Sequence, residues 1–201
     1  MKLSVQMVVV LTSIGLLSGG FLTAVGLLTK DRIEMNKQRE IEEAVIQVVP
    51  GIKTSQKLYE EKDLTVYGGL DEEGNLIGFG ILASGIGFQD KITLMLGADT
   101  AFTKTNRMVI LDQKETPGLG AKITDEDVFL RFWMDKDISG TLSLRKPAAI
   151  SPEELAAKEV NTITGATISS QAVLKIVNSA LERLRKYKDE GKLSVEEPDV
   201  K

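Results

Sequence analysis

No charged residue lies between Lys2 and Lys30, and the stretch from Val5 to Leu28 is almost wholly apolar or small. Its 24 residues make about 36 Å of helix at about 1.5 Å per residue, against a bilayer core of about 30 Å. The run predicts one N-terminal transmembrane helix within residues 1–29. A cleaved secretory signal is the competing reading, but its apolar core is usually about 7–15 residues long. Thr23-Ala24-Val25-Gly26 is also a poor small-x-small cleavage site, with further apolar residues beyond it. Thr12, Gly15, Gly19, Thr23 and Gly26 recur at steps of three and four. This small-residue stripe suits close packing on another membrane helix, although glycine is common in membrane helices anyway.

Beyond the anchor the chain changes character. Asp31 to Val48 reads as a charged juxtamembrane helix within residues 30–50, with Ile33, Ile41, Ala44, Val45 and Val48 on one side and Pro50-Gly51 as its stop. It is expected to lift the following domain, residues 51–201, off the bilayer and to pack against it. Four strand-like runs follow, Leu64–Tyr67, Leu76–Leu82, Ile92–Leu96 and Met108–Leu111, separated by turns such as Asp71-Glu72-Glu73-Gly74-Asn75. Ile123–Met134 reads as a helix with Asp125-Glu126-Asp127 as its acidic first turn, and Gly140–Leu144 as a further strand. Ser151-Pro152-Glu153-Glu154 has the cap, proline and acids of a short helix start. Strands first and helices around and after them predict an α+β fold with a mainly antiparallel sheet and packed helices.

Composition narrows the chemistry. The chain has no His and no Cys, which excludes thiolate-held clusters, Cys/His zinc sites, His-ligated haem and Cys- or His-based triads. No metal site is expected. All 29 acids lie beyond the apolar run with 24 of the 25 bases, so the domain is acidic and nucleic acid is not an expected partner. No G-x-G-x-x-G joins a strand to a helix, and no carboxylate pair has a catalytic spacing; the catalytic residues are unknown. Any redox chemistry must come from a cofactor that needs none of the missing ligands. The scarce aromatics Tyr67, Phe88, Phe132 and Trp133 are either core residues or flanks for a ring.

Two motifs stand out. Thr164-Gly165-Ala166-Thr167 runs into Ile168-Ser169-Ser170 and a helix whose apolar face is Ala172, Val173, Ile176, Val177, Ala180, Leu181 and Leu184. Free N–H groups and the positive end of the dipole make such a helix mouth a seat for phosphate, and Gly165 permits φ > 0 or close approach. The bland reading is an ordinary N-cap at Thr167, Ser169 or Ser170. Upstream, Glu115-Thr116-Pro117-Gly118-Leu119-Gly120 reads as a turn, with Pro117 setting φ and Gly118 and Gly120 opening the backbone.

Together these motifs resemble the FMN-binding domain family, whose members include the G-type subunits of Rnf electron-transport complexes and the C-type subunits of Na+-translocating NADH:quinone reductases. The first motif is similar to the family's Asp-x-x-Ser/Thr-Gly-Ala-Thr segment and the second to the Glu-Thr-Pro-Gly-Leu-Gly signature of the G-type subunits. The likeness extends loosely to the anchor and to Gly85-Ile86-Gly87-Phe88-Gln89. It implies FMN joined covalently by a phosphoester to Thr167 by a flavin transferase, with Thr164, Gly165, Ala166, Ser169, Glu115, Thr116, Gly118, Leu119 and Gly120 around the cofactor. One position departs from the pattern: the motif's Asp falls on Asn161, which removes a negative charge and an acceptor-only group.

The resemblance implies an electron-carrier subunit of a membrane-bound, Rnf-like ion-translocating oxidoreductase, working with other subunits of the complex rather than as a stand-alone catalyst. Alternatives are a C-type subunit of a Na+-translocating NADH:quinone reductase, or a flavin-free anchored scaffold module. Lys30, Arg32, Lys37 and Arg39 against Lys2 mildly favour a cytoplasmic domain by the positive-inside rule. The resemblance instead implies a bacterial inner-membrane protein with its domain on the outer, periplasmic face, and this is the expectation adopted.

Overall fold

The computed structural model describes residues 2–191; the end of the predicted 51–201 domain lies outside the described residues. Contacts divide the chain into two compact units, Met1–Glu40 and Ile41–Lys201. The division falls inside the segment expected to be a separate juxtamembrane helix, because α1 (Lys2–Val48) is one unbroken element.

In the first unit α1 is long and apolar enough to cross a membrane. Three of its hydroxyls are turned inward on the helix: Ser13 donates to Val9 O, Thr23 to Gly19 O and Thr29 to Val25 O, each at 2.8 Å. These bonds satisfy the polar groups that hydrocarbon could not. Nothing stands within 4 Å of where a Cβ would project from Gly15, Gly19 or Gly26, so the small-residue stripe is open. Ile33, expected to share the buried side, is exposed.

The second unit is built on a five-stranded antiparallel meander in chain order: β1 (Thr54–Glu61), β2 (Leu64–Leu70), β3 (Leu76–Ile86), β4 (Lys91–Ala98) and β5 (Thr105–Asp112). Strand alternation sorts each side chain to one of two covered faces. Ile92, Leu94, Leu96 and Ala98 of β4 join the larger core with Trp133, Phe129 and the apolar face of the C-terminal helix. Met95 points the other way, into a smaller core with Ile41, Ala44, Val45, Val48 and Val49. Both faces are therefore largely apolar, which is why β4 reads as a hydrophobic run interrupted only by Thr93 between Ile92 and Leu96. A Cβ on Gly97 would collide with the Val48 carbonyl oxygen, so the end of α1 rests directly on the strand backbone.

β1 escapes the sequence reading because, as a mostly exposed edge strand, it carries a polar sequence. The expected helix over Ile123–Met134 is instead two one-turn 3-10 segments, Gly120–Thr124 and Leu130–Trp133. Asp125 breaks it: its backbone is extended, and its carboxylate accepts the Val128 N–H at 3.0 Å, a local bond that competes with helix propagation. The apolar residues still bury, Phe129 and Trp133 meeting edge to face at 5.8 Å. The expected strand over Gly140–Leu144 shrinks to β6 (Ser143–Leu144), paired in parallel with β7 (Glu159–Val160). Ser151-Pro152-Glu153-Glu154 does form a turn of 3-10 helix, with Glu154 accepting the Ser151 N–H at 3.1 Å. Last comes α2 (Thr167–Asp189).

Gly97→Ala should force the end of α1 off β4. The expected cost is about 1–3 kcal/mol of overpacking strain, read as a melting temperature lower by several degrees. An unchanged melting curve would contradict the close seating of Val48.

Candidate functional site

α2 starts at Thr167, one residue after an N-cap that is Ala166. None of Thr167, Ser169 and Ser170 is the cap. Ser170 is used differently: its Oγ accepts the Ile163 N–H at 3.0 Å and donates to Ala166 O at 3.1 Å, bracketing the motif loop. Gly165 takes φ +84°, within the left-handed region that favours glycine. Thr167 is half-buried and its hydroxyl has no hydrogen-bond partner among the described residues. The N–H groups of Thr167, Ile168 and Ser169 occupy the first turn, where helix geometry offers no acceptor.

Glu115 organises what surrounds this helix mouth. Only 4% exposed, it spends one carboxylate oxygen on the Phe88 and Gln89 N–H groups at 2.8 and 3.0 Å and the other on the Ser169 hydroxyl at 2.5 Å. The β3–β4 hairpin, the Glu115–Gly120 turn and the first turn of α2 thus meet at one carboxylate. Space for it is made by glycine: a Cβ on Gly87 would lie 2.5 Å from Glu115 Oε1, and one on Gly120 2.6 Å from Oε2. The Gln113 side chain accepts the Glu115 N–H at 2.6 Å, and Gln89 Nε2 donates to Thr116 Oγ1 at 3.1 Å. Lys114 adds an ion pair to Asp90 at 3.0 Å. The Asp90 carboxyl is held below its usual range, first by the Lys91 backbone N–H and then by Lys114.

The two motifs therefore converge, with their residues divided in role. Thr164, Gly165, Gly118 and Leu119 are exposed, Thr116 is half-buried, and a Cβ on Gly165 would lie 3.7 Å from Leu119. Glu115, Gly120, Ala166 and Ser169 are buried behind them. Of the four aromatics offered as ring flanks, Tyr67, Phe132 and Trp133 are core residues; packing claims large aromatics first. Phe88 stays exposed, as do Leu119 and Ile168. The contacts of Ser170, Gln113 and Gly87 escape a reading of the sequence, since a hydroxyl, an amide and a lone glycine carry no local signal of what they will touch. Two hollows flank α2 past its first turn, of about 210 and 610 Å³.

Asn161 is not a weakened Asp. Buried to 2% exposure, its Oδ1 accepts the Ala149 and Thr162 N–H groups at 2.8 and 3.0 Å, and its Nδ2 donates to Ala149 O at 3.1 Å. The amide is needed as donor and acceptor together. A carboxylate would set an oxygen against the Ala149 carbonyl, so the lost charge is a local structural requirement of this chain.

Residues 87–182 match the family model for the FMN-binding domain. A Methanosarcina acetivorans relative, named as the G-type subunit of an ion-translocating oxidoreductase complex, is 34% identical over 116 residues, 58% of this chain and 56% of that protein. The chain thus spans little more than half of that relative. A Vibrio vulnificus protein of the same name is 25% identical over 191 residues, covering 85% and 84% of the two chains. In fold, the domain is similar to Shewanella oneidensis NqrC, with TM-score 0.52, 19% identity and coverage of 72% and 73%. It is also similar to the C-type subunit of the Na+-translocating NADH-quinone reductase of Parabacteroides distasonis, with TM-score 0.57, 20% identity and coverage of 84% and 96%. At such identities these two likenesses speak for the fold alone.

Two substitutions test the site's framework. Glu115→Ala removes the acceptor of two part-buried N–H groups and the buried Ser169 hydroxyl and should cost about 1–3 kcal/mol, whereas Glu115→Gln keeps an acceptor for the two N–H groups and an amide for Ser169 and should cost less; equal losses in chemical denaturation would contradict the network. Asn161→Asp should destabilise by about 1–3 kcal/mol at neutral pH. Burial without a donor for Ala149 O raises the new carboxyl's pKa in the folded state. The loss is therefore least below about pH 4, where the acid is protonated in both states and can donate to Ala149 O, and it grows as pH rises.

Proposed function

We propose that this chain is a membrane-anchored electron-carrier subunit of an Rnf-like ion-translocating oxidoreductase, with FMN joined to Thr167 through a phosphoester. The observation that carries this reading is the Thr167 hydroxyl: half-buried, unbonded among the described residues and set at the first position of α2. A phosphate on that oxygen would lie against the N–H groups of the first turn and the positive end of the helix dipole. Gly165 at φ +84° and Gly118 at φ +77° keep side chains away from the approach, so the residues present fit a flavin phosphate.

FMN supplies the electron-accepting ring that a chain without His or Cys cannot. The chain's own part is to hold and orient it. Thr167 would lose its hydroxyl proton to a base as its oxygen bonds the flavin phosphorus of a flavin dinucleotide donor, whose P–O–P bond breaks to release a nucleoside monophosphate, a step assigned to a flavin transferase partner. Glu115, through Ser169, fixes the first turn that presents Thr167. The match to the FMN-binding domain supports the cofactor, and the names of the sequence relatives support the complex. The quinone-reductase proteins enter as fold likenesses. Asn161, accounted for by its own hydrogen bonds, gives no support to a flavin-free scaffold. The anchor is proposed to sit in a bacterial inner membrane with the domain on its periplasmic face, beside the other subunits of the complex.

Protein produced with a flavin transferase should carry flavin fluorescence through a denaturing gel. Thr167→Ala should abolish it and Thr167→Ser should retain part of it, because a hydroxyl remains. Fluorescence equal to wild type in the Ala variant would refute the attachment site.

A further inference from the structure

Three charged residues stand in the segments that meet at the helix mouth: Asp90 in the β3–β4 hairpin, and Lys114 and Glu115 beside the turn. Residues 161–170 carry none. Asp90 and Lys114 answer one another at 3.0 Å, both exposed. Glu115 is the charge left over, buried and without a cationic partner among the described residues.

All three groups bonded to Glu115 donate to it: the Phe88 and Gln89 N–H groups and the Ser169 hydroxyl. That is the pattern of an ionised carboxylate, which accepts and does not donate. Neutral donors hold such a charge without cancelling it, so its field reaches past the pocket that encloses it. The field falls on the attachment point. Ser169 and Thr167 are two residues apart, so their side chains leave nearly opposite sides of the first turn of α2. The carboxylate is therefore roughly one helix diameter, about 10 Å, from the Thr167 side chain. At an effective dielectric of about 20, unit charges about 10–20 Å apart shift an equilibrium about four- to seventeenfold, less whatever salt screens.

We propose that the buried Glu115 carboxylate tunes the flavin held at Thr167, its uncompensated negative charge weakening the ring's reduced state and so lowering the midpoint potential. This rests on the attachment proposed above. Two electrons from a neighbouring subunit and one proton from water leave the ring with one more negative charge than its neutral oxidised form, and a fixed anion nearby disfavours that product. Buried behind the turn, Glu115 acts across it as a positioning residue.

The test uses the full-length chain, flavinylated by a transferase and solubilised in detergent, with in-gel flavin fluorescence and a melting curve recorded before the midpoint potential is read on labelled protein. Glu115→Gln removes the charge and keeps the shape. It should strengthen the reduced state about three- to tenfold, a potential higher by about 15–30 mV for a two-electron couple. Ser169→Ala cuts one hydrogen bond and keeps the charge, so its potential should stay at the wild-type value or fall; a rise equal to that of Glu115→Gln would make the effect structural and overturn the tuning. Gln89→Lys, on an exposed side chain next to the carboxylate, should raise the potential about two- to threefold in the same equilibrium, about 9–14 mV, and it carries the test if Glu115→Gln does not fold. A wild-type or lower potential in labelled Glu115→Gln, or in labelled Gln89→Lys where that variant stands alone, overturns the proposal. Loss of labelling in a Glu115→Gln protein that melts like wild type also overturns it, assigning the carboxylate to the transferase step. A Thr167→Ala variant that remains labelled would instead overturn the attachment, which separates the two failures.

Discussion

A single buried carboxylate sets the geometry of this domain's working end. Glu115 has no cationic partner among the described residues; its charge is met by two backbone N–H groups and one hydroxyl drawn from separate parts of the chain. An anion taken out of water without such donors would be expensive, so the fold is stable only when hairpin, turn and helix start are all in place. Ser169 sits in the first turn of α2, where a nearby negative charge is also favoured by the helix dipole. One group thereby fixes both the position of the helix mouth and the sign of the field behind it.

That mouth is held true by what happens at the other end of α2. Arg183 and Tyr187 both donate to Glu61 at the end of β1, and the Tyr187 ring packs on Tyr59 at 4.4 Å. The Glu61 carboxyl is held below its usual range by Tyr187 and then Arg183, and the Tyr59 phenol is pushed up to about 12, first by its contact with Tyr187. Between the two clamps, Val173, Val177, Leu181 and Leu184 bury against the sheet. A helix pinned at both ends and packed along its length moves little as a body. Exposed positions such as Lys175, and the half-buried Thr167, then keep fixed places relative to β3.

Much of this is legible in the sequence, and the failures have physical causes. The apolar run, the amphipathic face of α2 and the four strands β2 to β5 announce themselves because burial imposes a period on consecutive residues. β1 does not, since an exposed edge strand has no apolar face to display. The Ile123–Met134 segment shows a helical pattern because its aromatics do bury, but Asp125 closes a local turn that periodicity cannot register. At the site, the motif residues are legible while their division into exposed and buried sets is not. Whether Glu115 faces a ligand or holds a scaffold depends on Phe88, Gln89 and Ser169, which are up to 54 positions away. Asn161 is opaque for the same reason: its meaning lies in Ala149, 12 residues upstream.

The start of α2 goes without a side-chain cap. Ser and Thr crowd this segment, yet the cap position falls to Ala166, which has no side-chain acceptor to offer. Relative to a Ser or Thr cap that choice forgoes about 0.5–2 kcal/mol of helix stability. The neighbouring hydroxyls do not make up the difference, because Ser169 is committed to Glu115 and Ser170 to the motif loop. Thr167 stands one residue too late to cap. The orphan N–H groups thus have no side-chain cap, and Thr167, whose hydroxyl has no partner among the described residues, stands beside them. A phosphate bonded to that oxygen would satisfy the helix end that the sequence leaves open, so attachment and helix stability reinforce one another.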